Sequence, residues 1–579
     1  MIFKFNIPAA ILIFLVLYVF LLGIRPLVSP DEARYVEIPR EMLADQDYVT
    51  PHLNGARYFE KPIMGYWLIA GAIRVFGENA FAGRFAPAVS TGLAALIVLL
   101  LARKMTGRRE VGWFASGCFL LMPLVFIVGT TCTLDAIFSL FVTATVASFY
   151  CAMEGFLEKN RMKCVLWLLS AGAAAGCAFL VKGFLAFALP VMAVLPWLVW
   201  EKRWKAVFTL PWLPFVAALI VIAPWAVLIH HAQPDFWRYF VVEEHFARFF
   251  GGAKAEHPHG PFYFVLTLLW GAGEWFLLAP VIALGFRRIG IRGEDKSWFR
   301  FLICWFAGPF LFLSASSGKL PTYILPCFPA LAIMVSAALF RYFEEHQDGK
   351  GKLFNVPLMA VCGVFALVIV AGIVAFCLNL GWRFGITVFE KDETWKLFVI
   401  FNVLVLSLLG FAAAFTEKLP ARKLSYFIAA VVPLFIAVDL VVPQAFYDAR
   451  SMDRFLEECR DEITPDTLII AHGSNVHAVC FAYHRNDVYV IFPGELTYGL
   501  TCKEADENDR IRNQSVRKIP ELLAANPGKK VVMIFPADRY YDHYNRHGFH
   551  LPPALSVKKS IPSDPESKKA NGQVLVRFQ

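Results

Sequence analysis

The segment "SPDEARYVEIPREM" at 29–42 gathers side chains that could do chemistry, directly after a hydrophobic run. Asp31, Arg34 and Tyr35 are three and four residues apart, so in a helix all three project from one face. A carboxylate beside a guanidinium can be a simple i,i+3 ion pair, or the carboxylate can handle an acceptor while the cation binds an anion. The location favours the second interpretation, because ionisable groups near membrane depth are costly and are usually paired or functional.

A short helix must hold these three side chains. Ser29 and Glu32 have the spacing of a capping box, and Pro30 occupies the first helical position. The sequence therefore predicts a helix that begins there and ends before Pro39, only two turns long. In its first turn the helix dipole would favour the charged form of Asp31.

Further polar groups recur at the ends of other hydrophobic runs. They lie in the segments "RYFEKP", "TLD", "VKG", "EEHFARF" and "SGKLPTY". The side chains in these segments are Tyr58, Glu60, Lys61, Asp135, Lys182, Glu244, His245, Arg248, Lys319 and Tyr323. If the spans form a bundle, we expect these groups to meet in one outward-facing cavity.

Two carboxylates and several cations around such a cavity suit the transfer of a sugar from a lipid-linked phosphate. Breaking the glycosyl–phosphate bond develops charge on the departing phosphate, and Lys and Arg can stabilise that charge. A carboxylate can orient or deprotonate the acceptor, and negative charge also favours an oxocarbenium-like sugar. The membrane would supply both substrates.

The composition is that of a polytopic helical membrane protein. Of the 579 residues 58% are apolar and only 17% are charged, and the mean hydropathy is +0.55. A segment at 62–77 is short, contains Arg74 and is expected to lie in the membrane interface. Segments that could each cross roughly 30 Å of hydrocarbon lie near 6–25, 84–102, 111–129, 135–155, 164–181, 184–200, 206–229, 262–286, 299–315, 322–340, 354–380, 396–415 and 424–443. The sequence thus predicts about thirteen transmembrane helices.

The distribution of Lys and Arg predicts the orientation, because basic loops stay in the cytoplasm. With Lys4 the N-terminus is also predicted to be cytoplasmic, and after an odd number of spans the C-terminus is outside. The first run lacks a small-residue cleavage site, so we expect it to remain as a signal anchor. The basic loops, all on one side, are 103–109, 158–163, 201–205, 287–296, 341–352 and 417–423.

The polar tail predicts a second domain. The segments "TLIIAHG" and "VVMIFP" indicate buried strands, and "SVRKIPELLAAN" has helical spacing. We therefore expect a transmembrane domain over 1–443, with the active site on its outer loops, and a small α/β domain over 444–579. The preferred interpretation of the tail is a stabilising cap without reactive groups. Its three cysteines allow one disulfide but no framework.

Taken in order, several motifs resemble a known family. "SPDEARYVEIPREMLADQDYVTPHLNGARYFEKPIMGYW", "TLDAIFSLF", "VKGFLAFALPVMAVLPW", "FWRYFVVEEHFARF", "HGPFYF" and "SSGKLPTYILPCFP" are similar to the aminoarabinose transferases of lipid A modification. These enzymes belong with the protein O-mannosyltransferases among the integral-membrane GT-C glycosyltransferases. The resemblance runs from the first span to about residue 340.

The resemblance implies a GT-C fold and an inverting glycosyltransferase of the bacterial inner membrane with a periplasmic active site. It further implies a donor consisting of undecaprenyl phosphate that carries 4-amino-4-deoxy-L-arabinose, and lipid A phosphate as the acceptor. Membrane lipids are expected partners, and nucleic acid is not.

The resemblance also implies roles for individual residues. Asp31 and Asp135 match the two acidic positions of the family and would be catalytic. Lys182 and Arg248 match cations that hold the phosphate. The remaining residues assigned to donor and substrate binding are Arg34, Tyr35, Tyr58, Glu60, Lys61, Lys319 and Tyr323.

The sequence does not require a metal. Glu60 with His245 or His257 could bind a divalent ion such as Zn²⁺, but the spacing is not a tight ligand pattern. His259 also stands close by, which makes the match looser. Ordinary surface histidines are therefore the preferred interpretation.

Two other functions stay open at this point. One is a polyprenyl-phosphate sugar transferase that acts on another glycan or on protein hydroxyls, as the mannosyltransferase branch does. The other is a transporter for lipid-linked sugars. Transporters commonly show paired, inverted halves with helices interrupted at the midplane, whereas here we see no internal symmetry and the polar residues cluster at span ends.

Overall fold

The chain divides into two compact units. The first comprises Met1–Leu22, Arg84–Thr387 and Asp392–Val441, and the second comprises Gly23–Gly83, Val388–Lys391 and Val442–Gln579. The computed structural model describes residues 7–247, 258–290, 296–345, 352–377, 389–502, 505, 507–514, 518–539, 556–559 and 572–578. The sequence-based boundary at residue 443 falls beside the start of the tail, but residues 23–83 belong to the same unit as the tail.

The first unit is built from helices, which satisfy their backbone hydrogen bonds internally and so suit an apolar surrounding. Its helices are Ile7–Leu15, Val16–Phe20, Ala80–Thr106, Arg109–Leu120, Pro123–Gly129, Asp135–Leu157, Arg161–Lys182, Leu185–Trp200, Trp204–Thr209, Trp212–Ala232, Phe236–Arg238, Tyr239–Ala247, Tyr263–Ala272, Glu274–Leu277, Ala279–Ile289, Ser297–Ala315, Pro321–Cys327, Phe328–Glu345, Lys352–Cys377, Lys391–Glu393, Thr394–Thr416 and Pro420–Val441.

Within the described residues, nine helices are long and apolar enough to cross a membrane. The pair Arg109–Leu120 and Pro123–Gly129 is bent by 67° and would make a tenth. The nine are Ala80–Thr106, Asp135–Leu157, Arg161–Lys182, Trp204–Ala232, Ser297–Ala315, Pro321–Glu344, Leu353–Val374, Thr394–Thr416 and Arg422–Val441. The chain is therefore a multi-pass membrane protein, as predicted.

The predicted count of thirteen spans exceeds the nine helices and the bent pair by three, because three of the predicted segments fall on shorter or broken helices. Segments 6–25 and 184–200 carry helices too short to be counted. Segment 262–286 is broken at Gly273, whose φ of 57° lies in the left-handed region. A Cβ on Gly273 would lie 2.5 Å from Cγ of Pro123, so the break also allows a close approach.

The second unit contains a six-stranded sheet, which confirms the predicted α/β domain. The sheet has the order β5-β4-β3-β6-β8-β7. Strands β3, β4, β5 and β6 run parallel, and β8 pairs antiparallel with β6 and β7. The strands of the unit are β1 His52–Leu53, β2 Ala56–Arg57, β3 Leu468–His472, β4 Tyr489–Ile491, β5 Asn513–Gln514, β6 Val531–Pro536, β7 Ser556–Lys559 and β8 Gln573–Arg577.

Aliphatic side chains of the parallel strands form the core of this sheet. Ile470 of β3 pairs in register with Tyr489 of β4, and Leu468 pairs with Val531 of β6. Ile470 and Val531 are fully buried. The helices of the unit are Asp31–Asp45, Met64–Phe76, Gln444–Asp448, Asp453–Glu458, Arg460–Glu462, Val476–Tyr483, Gly494–Leu496, Thr497–Thr501, Glu507–Arg512 and Ile519–Ala525. Among the described residues, the tail cysteines form no disulfide.

The helix after the first hydrophobic run is longer than the sequence predicts. It extends over Asp31–Asp45 and contains Pro39, and no side chain caps its first turn. Glu32 Oε2 instead accepts the N–H of Val28 at 2.9 Å, and the hydroxyl of Ser29 has no hydrogen-bond partner among the described residues. Proline inside a helix costs about 3 kcal/mol, but the helix is buried from Glu32 to Met42, so packing outweighs that cost. The prediction of a capping box and of an end before Pro39 was wrong.

Candidate functional site

A cation and a carboxylate meet where two helices of the first unit end. Asp135 is the first residue of Asp135–Leu157, and Lys182 is the last residue of Arg161–Lys182. The Nζ atom of Lys182 lies 2.6 Å from Oδ1 of Asp135 and 5.1 Å from the ring centroid of Tyr323. The two charged side chains are only 13% and 10% exposed. Helix dipoles favour both charges, because the acid lies at an N-terminus and the cation at a C-terminus.

The sequence analysis did not predict this contact. It expected both residues in the site, but no spacing pattern relates Lys182 to Asp135, and the structure pairs them. An ammonium group carries three N–H donors, so Lys182 can also contact an anionic ligand while it stays bonded to Asp135. The three residues therefore form a compact group that could bind a phosphate.

A second cluster surrounds Arg34 in the second unit. Arg34 is 6% exposed. Its Nη2 donates to Oδ1 of Asp31 at 2.5 Å, and its Nη1 donates to Oε2 of Glu495. The hydroxyl of Tyr58 donates to the same Oε2 atom at 3.2 Å. The guanidinium also lies over the ring of Tyr35, 4.8 Å from its centroid. The structure thus brings together Asp31, Arg34, Tyr35 and Tyr58 with a residue of the tail.

Two buried donors in this cluster lack a partner. Among the described residues, neither Nε of Arg34 nor the hydroxyl of Tyr66 has a hydrogen-bond acceptor. The ring of Tyr66 is fully buried and stacks on Tyr35 at 6.4 Å. A buried donor without an acceptor costs about 1–3 kcal/mol, so both groups suit a site where a ligand supplies the acceptor.

The charges in this cluster are set by Arg34 and by burial. Burial raises the pKa of Glu495, but the charge and hydrogen bond of Arg34 outweigh burial and lower that pKa to about 2. His477 is also buried, and the loss of solvation lowers its pKa to about 4. At neutral pH the cluster therefore contains ionised Glu495 and uncharged His477.

Two further predicted site residues, Glu60 and Lys61, follow Tyr58 in the sequence and belong to the second unit. Glu60 is 9% exposed, and Nζ of Lys61 donates to the backbone carbonyl of Glu60 at 2.9 Å. Their predicted roles in substrate binding stay predictions.

Lys319 has a structural role in the first unit. The residue is 2% exposed, and its Nζ donates to the carbonyl oxygens of Ser316 and of His259, the latter at 3.0 Å. The neighbouring residue Gly318 forms a β-bridge with Pro258. The ammonium thus ties two loop segments together, and substrate binding by Lys319 stays a prediction.

For three further predicted residues the structure describes no side chain. Arg248 and His257 lie outside the described residues, as does the side chain of His245. A zinc role for Glu60 with either histidine therefore stays a prediction.

One described group of three possible metal ligands consists of Glu37, Glu41 and Cys480. Glu37 is ion-paired with Arg40 at 2.7 Å, and Glu41 accepts the backbone N–H of Asn54 at 2.6 Å. The first bond lies within the Asp31–Asp45 helix and the second ties that helix to Asn54, so the group fits a structural role better than a metal site.

Glu495 and His477 are members of the Arg34 cluster that the sequence analysis missed. Glu495 follows strand β4 and His477 follows strand β3. Because ligands of α/β sheets bind beyond the carboxyl ends of parallel strands, the predicted strand "TLIIAHG" was a usable signal for His477. Strand β4 was not predicted from the sequence, so the same rule gave no signal for Glu495.

Comparison with known proteins identifies the family. Residues 4–240 match the family model described as dolichyl-phosphate-mannose-protein mannosyltransferase, and residues 447–560 match that of the C-terminal domain of arabinosyl transferase ArnT. The undecaprenyl phosphate-alpha-4-amino-4-deoxy-L-arabinose arabinosyl transferase of Shewanella sediminis is 34% identical over 563 residues, covering 94% of this chain and 99% of the relative. The chain belongs to this arabinosyl transferase family.

A second relative agrees with this result. The arabinosyl transferase of the same name from Aeromonas salmonicida is 32% identical, covering 91% of this chain and 93% of the relative. The family and the enzyme class, a glycosyltransferase that uses a lipid-linked sugar, are therefore confirmed. The match over 447–560 also places the tail within the arabinosyl transferase family, although the sequence analysis found no distinctive motif there.

Solved structures of ArnT from Cupriavidus metallidurans have the same fold. The structure bound to undecaprenyl phosphate superimposes with a TM-score of 0.76 at 22% identity and covers 99% of both chains. The apo structure gives a TM-score of 0.75 at 21% identity, covering 99% of this chain and 97% of that one. The predicted fold class is confirmed.

Proposed function

We propose that this chain transfers 4-amino-4-deoxy-L-arabinose from undecaprenyl phosphate to a phosphate of lipid A. The observation that carries the proposal is the relationship to arabinosyl transferases over nearly the whole length of both chains. The reaction would take place at the periplasmic face of the bacterial inner membrane, where both lipid substrates are present. The N-terminus would then lie in the cytoplasm and the α/β domain in the periplasm.

The geometry of both clusters supports this chemistry. Each places a buried or nearly buried cation beside a carboxylate and a tyrosine: Lys182 beside Asp135, and Arg34 beside Asp31. Nε of Arg34 has no acceptor in the described part of the chain, and a phosphate oxygen would satisfy this donor. Cations next to a departing phosphate stabilise the charge that develops on it.

In the proposed reaction an ionised oxygen of the lipid A phosphate attacks C1 of the aminoarabinose. The new C1–O bond forms while the bond between C1 and the phosphate oxygen of the donor breaks. Undecaprenyl phosphate leaves with the electron pair, and the configuration at C1 is inverted. Because the attacking phosphate is already ionised, Asp31 need not act as a base and would position the site and balance Arg34.

The match of residues 4–240 to the mannosyltransferase family supports one alternative. A chain of that kind would transfer a sugar from a polyprenyl phosphate to a protein hydroxyl, which must lose a proton during the attack. The two functions share the donor phosphate chemistry and differ in the sugar and in the acceptor.

Transfer by the purified chain in proteoliposomes separates the two functions. One reaction receives undecaprenyl phosphate-linked aminoarabinose and lipid A, and the other receives a polyprenyl phosphate-linked mannose and a serine- and threonine-containing protein acceptor. We expect product only in the first reaction. Product only in the second would replace the proposal with the alternative.

A further inference from the structure

The tail supplies a charged partner to the Arg34 cluster. Oε2 of Glu495 accepts hydrogen bonds from Nη1 of Arg34 and from the hydroxyl of Tyr58, so one carboxylate oxygen joins both residues. Glu495 is 461 positions away from Arg34 in the sequence. All three residues belong to the second unit.

The turn that carries Glu495 is fixed by contacts of its own. It follows strand β4 and leads into the short helix Thr497–Thr501. A Cβ on Gly499 would lie 2.3 Å from the carbonyl oxygen of Arg57, so the backbones of the helix and of β2 approach closely. The rings of Tyr498 and Phe59 pack at 5.9 Å. The position of Glu495 therefore does not depend on its bond to Arg34.

Asp31 alone is too exposed to solvent to fix the orientation of the Arg34 guanidinium. Its side chain is 62% exposed, whereas that of Glu495 is 32% exposed. Ion pairs in solvent contribute little, typically 0–1 kcal/mol, but a buried guanidinium needs a partner that is itself withdrawn from water. Glu495 is the more buried of the two carboxylates, and it stays ionised at neutral pH because Arg34 lowers its pKa to about 2.

We propose that Glu495 is a positioning residue of the transferase site: it holds the guanidinium of Arg34 in the orientation that binds the donor, and the hydroxyl of Tyr58 helps to hold the carboxylate. This inference rests on the proposed function, in which Arg34 contacts the donor phosphate. It makes the tail a part of the site and replaces the interpretation of the tail as a cap. Glu495 itself touches no reacting atom.

The decisive experiment is a double-mutant cycle of Glu495→Gln and Arg34→Ala in the full chain, read out as kcat/KM for the donor. Glu495→Gln keeps the size of the side chain and removes its charge. Because small misplacements of a binding group can cost up to 100-fold, we expect the single variant to lose about 10- to 100-fold. Since Glu495 acts through Arg34, the double variant should be about as active as Arg34→Ala alone.

Losses that multiply in the double variant would overturn the proposal, and so would full activity of Glu495→Gln. The matched control is Glu521→Gln, an exposed acid of the same unit, which should keep wild-type activity. If Glu495→Gln does not fold, Glu495→Asp replaces it: this variant keeps the charge but withdraws it by one methylene. A folded Glu495→Asp variant should then lose activity, and full activity would contradict the positioning role.

Binding of undecaprenyl phosphate alone separates this inference from the proposed function. If the wild-type chain binds undecaprenyl phosphate but transfers no aminoarabinose, the proposed function fails. In that case, a weaker affinity of Glu495→Gln than of Glu521→Gln for undecaprenyl phosphate would still support the positioning role. Equal affinities of the two variants would refute it.

Discussion

The clusters around Lys182 and Arg34 each place a cation beside a carboxylate, but they draw the partners of that cation from different parts of the chain. Lys182 and Asp135 are 47 positions apart and lie at the ends of two helices that follow one another in the chain. Arg34 depends on Asp31 of its own helix and on Glu495 of the tail. Adjacent helices therefore supply the charged pair of the first cluster, whereas the second cluster requires the folded α/β domain.

Removal of the tail should have the largest effect, because it destroys the Arg34 cluster and leaves the Lys182–Asp135 pair in place. A chain that ends after residue 450 would lose Glu495, and it would also lose the buried bond from Nδ2 of Asn54 to the carbonyl of Val488, which is 2.7 Å long. We expect complete loss of transfer, with the Lys182–Asp135 pair still present. The assay is donor turnover by truncated protein whose membrane insertion has been verified. Activity within tenfold of the wild type would restore the interpretation of the tail as a cap.

The second-largest loss of transfer is expected when Lys182, the cation of the first cluster, is removed. For Lys182→Ala we expect transfer to fall by roughly 100-fold or more, because a positioned cation stabilises the departing phosphate. Lys182→Arg should keep part of the activity, since a planar guanidinium does not replace a compact ammonium group. Transfer rates of both variants should be measured beside Lys163→Ala, which removes an exposed ion pair with Glu158 at the other end of the same helix.

Lys182→Ala should also lower stability, because it leaves Asp135 without its cation. The expected cost is about 1–3 kcal/mol, so the thermal midpoint of each variant must be determined in the same detergent. Near wild-type transfer by a folded Lys182→Ala variant would exclude a role in phosphate binding.

Asp31 should have a smaller effect, and its pH dependence distinguishes the two acceptors. We expect Asp31→Asn to lose less than the roughly 10²- to 10⁴-fold that removal of a general base costs. The loss should be the same at every pH, because the lipid A phosphate needs no deprotonation. The measurement is kcat/KM against pH for wild type and variant, with donor binding checked over the same range. A rising limb that Asp31→Asn abolishes would indicate a hydroxyl acceptor.

His477 should affect acid stability rather than chemistry. In the unfolded chain its pKa is near 6.5, whereas burial lowers it to about 4 in the folded protein. Between these values only the unfolded state binds the proton, so stability falls as the pH drops below 6.5, by roughly 2 kcal/mol at pH 5. Thermal unfolding at pH 7 and pH 5 should show a smaller loss for His477→Asn than for wild type. Equal losses would mean that His477 does not carry this effect.

The sequence predicted what depends on local patterns. Long hydrophobic runs predicted the helices, short apolar runs predicted two strands of the tail, and motif order predicted the family. It did not predict the continuation of the Asp31–Asp45 helix through Pro39, because that depends on burial against distant residues. Nor did it predict Glu495, because no spacing rule relates residues 461 positions apart. The Lys182–Asp135 pair was missed as a contact although both residues were expected in the site.

The most direct test of the central claim is mass spectrometry of lipid A from Gram-negative cells that lack their own aminoarabinose transferase but make the donor. Cells that express this chain should gain lipid A species heavier by one or two 4-amino-4-deoxypentose units. Cells that express the folded Lys182→Ala variant should show little or none, and cells that express Lys163→Ala should match the wild type. Unmodified lipid A in the presence of well-expressed wild-type protein would contradict the account.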